Sequence, residues 1–288
     1  MLNVILTASV SFIITMLAIP AIMKVAQQKK LYDLPDARKL HTKPIASLGG
    51  VGIFIGFSLA ILLTLSGTDT REFQFFFASA LVIFFLGLKD DILILSATKK
   101  FLGQLAATAI VIHLGNIRLE SMHGFMGIEK LPEVVGYLLT YVTIIVVVNA
   151  YNLIDGVDGL AGSLGIMTMS IFGTYFFFAE MQGYALLAFA MAGSLLAFLR
   201  FNFYPAKIFM GDSGSLLIGL VNAILVIKFI TVADSATVPV QFTSAVAIGF
   251  SILIVPLLDT LRVFSMRIAK GRSPFSPDRN HVHHLLLA

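Results

Sequence analysis

Stretches without a single Asp, Glu, Lys or Arg dominate the chain, at 1–23, 44–68, 73–88, 101–117, 134–154, 159–179, 181–199, 213–227 and 235–258. A hydrocarbon layer of ~30 Å calls for about 20 apolar residues in a helix, so the pattern predicts nine membrane spans. Runs 73–88, 101–117 and 213–227 are short for that task, and Lys228 is expected to snorkel from the end of the last. The first run lacks a basic leader and is too long for a signal-peptide core, so it is expected to stay as a membrane helix. The expected fold is all-α: a polytopic integral-membrane helical bundle of nine spans.

Charge orients the bundle. Segments 24–43, 89–100, 200–207 and 262–279 hold 6, 3, 2 and 5 Lys or Arg, sixteen of the chain's 20. Cytoplasmic loops carry such an excess, so these loops are expected inside and the N-terminus outside. The outer segment 116–133 is long enough for a small hairpin or a surface helix. No composition break or repeat marks a second domain, and residues 1–288 read as one transmembrane catalytic domain.

Composition narrows the function. With 58% hydrophobic and 12% charged residues and a mean hydropathy of +0.93, a water-soluble globule is excluded. A net charge of +4 is too small for a nucleic-acid-binding face, so lipids rather than nucleic acid are the expected partners. Cysteine is absent, which removes disulfides, thiolate metal sites and thiol nucleophiles.

The polar clusters fall in the same inner loops. Lys89-Asp90-Asp91 follows the third run, and Asn149-Ala-Tyr-Asn152-Leu-Ile-Asp155-Gly-Val-Asp158-Gly follows the fifth. Asn202 to Gly214, with Phe209 and Met-Gly-Asp212-Ser-Gly, follows the seventh, and Ser-Pro-Phe-Ser-Pro-Asp-Arg279-Asn-His281-Val-His283-His284 follows the ninth. Acidic groups beside a bilayer are costly unless they face a polar cavity or a cation, so five aspartates at one interface form a candidate site. Adjacent helical residues diverge by ~100°, so Asp90 and Asp91 cannot chelate one ion together; one is expected to face the cavity and the other to be held by a lysine or a backbone N–H. Asn149, Asn152 and Asp155 recur at i, i+3 on one helix face. Asp212 sits at a helix start whose N–H groups suit a phosphate, while its carboxylate suits Mg²⁺. Each motif also has a plain structural reading: a solvated helix end for the Asp pair, an ordinary cap for Gly-Asp-Ser-Gly, close helix packing for Gly49-Gly50-Val-Gly52. The histidines lack the partners of a zinc site.

Taken in order, these motifs resemble the polyprenyl-phosphate N-acetylhexosamine-1-phosphate transferases. The likeness is to the branch of the bacterial WecA and TagO enzymes, with the MraY translocases and the dolichol-linked enzymes further off. It extends from Asp33-x-Pro35-x-x-Arg38-Lys39-x-His41-x-x-Pro44 to the end of the chain. The resemblance implies a multi-pass enzyme of the bacterial inner membrane with its active site facing the cytoplasm. It would transfer a sugar phosphate, N-acetylglucosamine 1-phosphate first among candidates, from a UDP-N-acetylhexosamine to undecaprenyl phosphate. UMP would be released with Mg²⁺ (or Mn²⁺) as cofactor, initiating a cell-envelope glycan such as lipopolysaccharide or teichoic acid. A homodimer is a further expectation.

The resemblance assigns Asp212 and Asn152 to the metal, and Asp158 and Phe209 to the uridine. It places Arg279, His281, His283 and His284 against the phosphates, and Asp90 and Asp91 at the lipid phosphate. Asp155 joins the catalytic set, and Asn149 and Lys43 join the substrate-binding set. A phosphate monoester, with a second pKa near ~6, is already mostly dianionic at neutral pH, so a carboxylate beside it orients it rather than simply deprotonating it. Members of the family continue through further spans, so Leu285–Ala288 reads as the start of a tenth helix and the chain as truncated at its C-terminus. The neighbouring reading is a phospho-N-acetylmuramoyl-pentapeptide transferase. The reading from another class is a cation-coupled transporter, which would want charges at mid-span where this chain has none.

Overall fold

The structure is a computed structural model that describes residues 1–32, 44–65, 70–235 and 237–269. The described residues form ten α-helices: α1 (Leu2–Lys29), α2 (Gly49–Thr64), α3 (Thr70–Leu93), α4 (Ala97–Ala109), α5 (Glu133–Ile154), α6 (Leu160–Phe178), α7 (Gln182–Asn202), α8 (Gly211–Val232), α9 (Ala245–Ile252) and α10 (Ile254–Ala269). A π-helical turn, Ile110–Leu114, extends α4. Among the described residues no strand occurs, only isolated bridges pairing Ala46 with Ile208 and Ser121 with Lys130.

Each apolar run falls on a helix or a helix pair, yet among the described residues fewer than nine helices pass as crossings by length and apolarity. α1, α5, α6, α7 and α8 do so, and the pair α9–α10, bent by 76°, makes a sixth. α2, at 16 residues, and α4, at 13, are too short to count as full crossings. Lys89, Asp90 and Asp91 lie inside the last turns of α3, and Lys99 and Lys100 lie in the first turn of α4, where the sequence placed a loop. The polar chemistry is built into the helix ends themselves. The break in the ninth run was likewise unforeseen; Pro256 stands in the first turn of α10, where a missing N–H costs no helix bond.

Helix α8 is the axis of the bundle. Of its apolar window 83% is buried, against 22% for α1, which lies at the rim. Lipid offers no hydrophobic drive for helices to associate, so close approach depends on small residues. Gly219 of α8 meets the backbone of α5, where an added Cβ would stand 2.6 Å from Val148 Cα. Gly87 does the same for α3: a Cβ there would stand 2.5 Å from Ser213 N. Gly50 lies against the backbone of Gly214, in keeping with the packing role read for that glycine cluster. These contacts press the ends of α2, α3 and α5 against the start of α8.

Helices α3 and α8 run antiparallel, and their far ends meet in an ion pair. Lys228 Nζ lies 3.1 Å from Glu72 Oε1 and 4.8 Å from the centre of the Tyr184 ring. Lys228 therefore binds a neighbour inside the bundle instead of snorkelling out, and α8 continues four residues past it. On the same side, residues 116–133 form a small hairpin, with Met122 N–H donating to Glu129 O at 2.8 Å around a short 3-10 turn. His113 stacks on Tyr137 at 5.2 Å and reaches the Tyr141 hydroxyl at 3.1 Å.

Candidate active site

The site is built on the start of α8. Gly211 opens the helix at φ +73°, a left-handed conformation that favours glycine. The N–H groups of Asp212 and Ser213 then point at Asp91, donating to its two carboxylate oxygens at 2.7 and 3.1 Å. A carboxylate so placed caps the helix and complements its positive end. The phosphate expected at this helix start thus meets a carboxylate of the chain already bound there. The cause is the antiparallel packing of α3 on α8, which delivers Asp91 to those donors.

Asp90 turns the other way, as neighbouring positions on a helix must. Its Oδ1 accepts the Leu95 N–H and its main-chain carbonyl accepts the Ile94 N–H at 3.1 Å, so it fixes the turn from α3 into α4. Its Oδ2 faces Lys100 Nζ at 3.2 Å. That ammonium is shared three ways: it also pairs with Asp212 Oδ2 and donates to Asn152 Oδ1 at 3.2 Å. Asn152 completes the ring by donating to Asp212 Oδ1 at 2.7 Å and to Ser215 Oγ at 3.0 Å. Oxygens from α3, α5 and α8 therefore converge on one cation supplied by α4.

One turn along α5, Asn149 exchanges hydrogen bonds with Gln104, donating at 2.8 Å and accepting at 3.3 Å, and also donates to Ile145 O. Its amide ties α5 to α4 instead of standing open. Neither Lys100 nor Gln104 was singled out by sequence reasoning, which counted Lys100 only as an inner-loop charge. The signal was legible: Lys100, Gln104 and Thr108 recur at i, i+4 and i+8, and beyond Lys100 the rest of the helix is apolar.

Asp155 terminates α5 and is held well towards its protonated form, by burial first and then by the charges of Asp212, Asp91 and Asp158. Asp158 accepts the Ala206 N–H at 3.0 Å. Beside it, Asn202 accepts from Gly159 N–H at 2.8 Å and donates to Ile208 O at 2.9 Å. These bonds lash the α5–α6 turn to the α7–α8 turn. Phe209 is half-buried, its N–H donating to Ala46 O at 2.8 Å and its carbonyl accepting from Gly49 N–H at 2.9 Å. The structure thus brings Asp90, Asp91, Asn149, Asn152, Asp155, Asp158 and Asp212 to one end of the bundle. Lys43, Arg279, His281, His283 and His284 lie outside the described residues.

Among the described residues no group of three or more His, Asp or Glu is arranged to hold a metal. Mg²⁺, however, takes oxygen ligands, often only one or two carboxylates with the rest from water and phosphate. Asp212 and Asn152, with Asp90 across from them, offer that donor set, and the Lys100 ammonium marks where they focus positive charge. The residues present fit such an ion.

A helical membrane protein with an acid-rich centre at the ends of its spans is the class that fold and site define. Residues 73–230 match the model of glycosyl transferase family 4, and the chain belongs to that family. It is 32% identical over its whole length to a probable undecaprenyl-phosphate N-acetylglucosaminyl 1-phosphate transferase of Bacillus subtilis (strain 168), spanning 78% of that protein. It is 31% identical to an undecaprenyl-phosphate alpha-N-acetylglucosaminyl 1-phosphate transferase of Yersinia pestis, over 96% of this chain and 74% of the relative. A decaprenyl-phosphate N-acetylglucosaminephosphotransferase of Mycolicibacterium smegmatis (strain ATCC 700084 / mc(2)155) is 32% identical, over 88% and 68%. The chain is accordingly a multi-pass glycosyl-1-phosphate transferase of the membrane.

Proposed function

We propose that this enzyme transfers N-acetylglucosamine 1-phosphate from its UDP-sugar to undecaprenyl phosphate with release of UMP, in a Mg²⁺-dependent reaction at the cytoplasmic face. The observation that carries the reading is the convergence of Asp90, Asn152 and Asp212 on one cation position at the end of the bundle. Phe101, Leu102 and Leu105, next to Lys100 on α4, are exposed on the outside of the bundle, so a polyprenyl chain in lipid can lie beside the polar cluster. The relatives' names support the acceptor and the sugar. The sixteen-to-four split of Lys and Arg supports nine crossings, an N-terminus outside and the cluster inside. One catalytic domain over residues 1–288 fits the single core.

In the reaction an oxygen of the acceptor phosphate attacks the donor phosphorus that carries the sugar. A new phosphoanhydride forms, the bond to the uridine phosphate breaks, and UMP leaves with its electron pair. The acceptor monoester is mostly ionised at neutral pH, so no residue need remove its proton. Mg²⁺ held by Asp212 and Asn152 would neutralise charge on the donor pyrophosphate. Asp91 holds the start of α8 and so fixes Asp212; Asp90 holds the α3–α4 turn and Lys100. Asp158 and Phe209 lie on the turns assigned to the uridine, and Arg279, His281, His283 and His284 are proposed to stabilise charge as UMP departs. A transporter is less well supported, because the carboxylates stand at helix ends and the mid-spans carry no charge.

The test is transfer of radiolabel from UDP-sugar into lipid extract with undecaprenyl phosphate, with and without Mg²⁺. N-acetylglucosamine, N-acetylgalactosamine and muramoyl-pentapeptide donors are compared. One phosphoanhydride replaces another, so excess UMP should regenerate UDP-sugar from the lipid product. No labelled lipid from any donor would overturn the reading.

A further inference from the structure

Lys100 is the residue that the sequence motifs leave out and the geometry puts at the centre. Its Nζ touches one oxygen each of Asp90, Asn152 and Asp212, which come from three different helices. Those are the oxygens that fit a divalent ion. Without a cation there, the Asp90 and Asp212 carboxylates, 14% and 27% exposed, would repel each other in a half-buried setting. Lysine suits a removable countercharge: a compact ammonium on a four-carbon stem with many rotamers.

We propose that Lys100 is an internal placeholder for the divalent cation: its ammonium neutralises Asp90 and Asp212 in the metal-free enzyme and is displaced when the metal binds. The inference rests on the metal-dependent reading above and deepens it by assigning how the site exchanges its charge. Mg²⁺ draws oxygen ligands to about 2.0–2.1 Å, so a metal seated on these three oxygens would stand where the Lys100 ammonium lies, and two cations cannot occupy that position together. Binding is therefore an exchange, in which two positive charges enter and one swings out on its stem. The freed ammonium remains within reach of whatever anion the metal brings. A site so arranged keeps its carboxylates compensated at every stage, and the metal has to compete for entry.

The test needs no sugar nucleotide and no lipid acceptor, so it can fail or succeed independently of the transferase assay. Purified full-length chain in lipid nanodiscs is stripped of metal and titrated with MgCl₂ while its thermal unfolding is followed. Lys100→Gln should melt at lower temperature without metal and half-saturate at about tenfold lower Mg²⁺, since a competitor worth ~1.4 kcal/mol has been removed. Lys100→Arg, which keeps the charge, should restore most of the metal-free stability. In the wild-type chain, Lys100 should react faster with an amine-specific reagent at saturating Mg²⁺ than without it, as read by peptide mass spectrometry. Unchanged or weaker Mg²⁺ binding in Lys100→Gln would overturn the proposal. So would wild-type Lys100 labelling that Mg²⁺ leaves unchanged or lowers, a result decisive even where the variant does not fold.

Discussion

Helices α3 and α8 lie side by side and carry charge at both ends, and the two ends differ in balance. At one, Glu72 meets Lys228 across 3.1 Å, with the Tyr184 ring over the ammonium. At the other, among the described residues, Asp90, Asp91 and Asp212 gather with Asp155 and Asp158 nearby, and Lys100 is the cation that pairs with Asp90 and Asp212. Burial does not separate the two, since Lys228 is 20% exposed and Lys100 18%. Stoichiometry does. A one-to-one pair is complete and holds two helices together, whereas a surplus of carboxylates beside a bilayer is stable only if a cation or a donor-rich ligand completes it. The comparison teaches that in this bundle an incomplete charge count among the described residues, more than a buried charge as such, distinguishes the end proposed to react.

The largest effect expected from breaking the comparison is all-or-none and concerns sidedness. The chain has no cysteine of its own, so Ser96→Cys, at the start of α4, and Ser121→Cys, in the hairpin at the other end, report cleanly. In sealed cells an impermeant thiol reagent should label the second and not the first; labelling of both from one side would place the two ends on the same face. Next comes Asp91→Ala. Removing the carboxylate from the start of α8 should cost about 1–2 kcal/mol of stability and, by loosening Asp212, roughly 10²-fold in kcat. Asp91→Asn should recover part of both, and an unchanged kcat would mean that the cap does not position Asp212.

Asp158→Ala deprives the Ala206 N–H of its acceptor and should cost about 1–3 kcal/mol, measured by unfolding. Its effect should appear in the KM for UDP-sugar more than in that for the lipid. Smallest is the balanced end. Lys228→Met should destabilise by about 1–2 kcal/mol, less than a fully buried pair would lose, because Glu72 is 29% exposed. Adding Glu72→Leu should return most of that loss. A larger loss in the double variant than in the single would show that the pair is not a self-contained clamp.

Much of this contrast was legible in the chain. The apolar runs mark the helices because lipid demands length and continuity, and the aspartates fall at or beside the helix ends because charge is excluded from mid-span. Of the small hairpin or surface helix that the length and mixed charge of 116–133 allowed, the structure shows the hairpin, bridged at Ser121 and Lys130. What escaped was the three-dimensional pairing. That one of the Asp90–Asp91 pair is held by a backbone N–H agrees with the expectation, but that it is Asp91 and that the N–H groups open α8 is a contact between residues 121 positions apart that no local pattern encodes. Lys100 was absorbed into the count of inner cations, although its spacing with Gln104 and Thr108 singled it out. The bend after Leu253 was masked by the unbroken apolarity of its run, with Pro256 the one local sign.

The measurement closest to the central claim is a side-by-side turnover assay of Asp212→Asn and Glu72→Gln, one carboxylate neutralised at each end of the same two helices. Labelled UDP-N-acetylglucosamine and undecaprenyl phosphate are supplied at saturating Mg²⁺, with folding checked by thermal melting. Asp212→Asn should remain folded and lose on the order of 10³-fold in kcat, while Glu72→Gln should turn over close to the wild-type rate. Near-normal turnover by Asp212→Asn, or an equal collapse of both variants, would contradict the account.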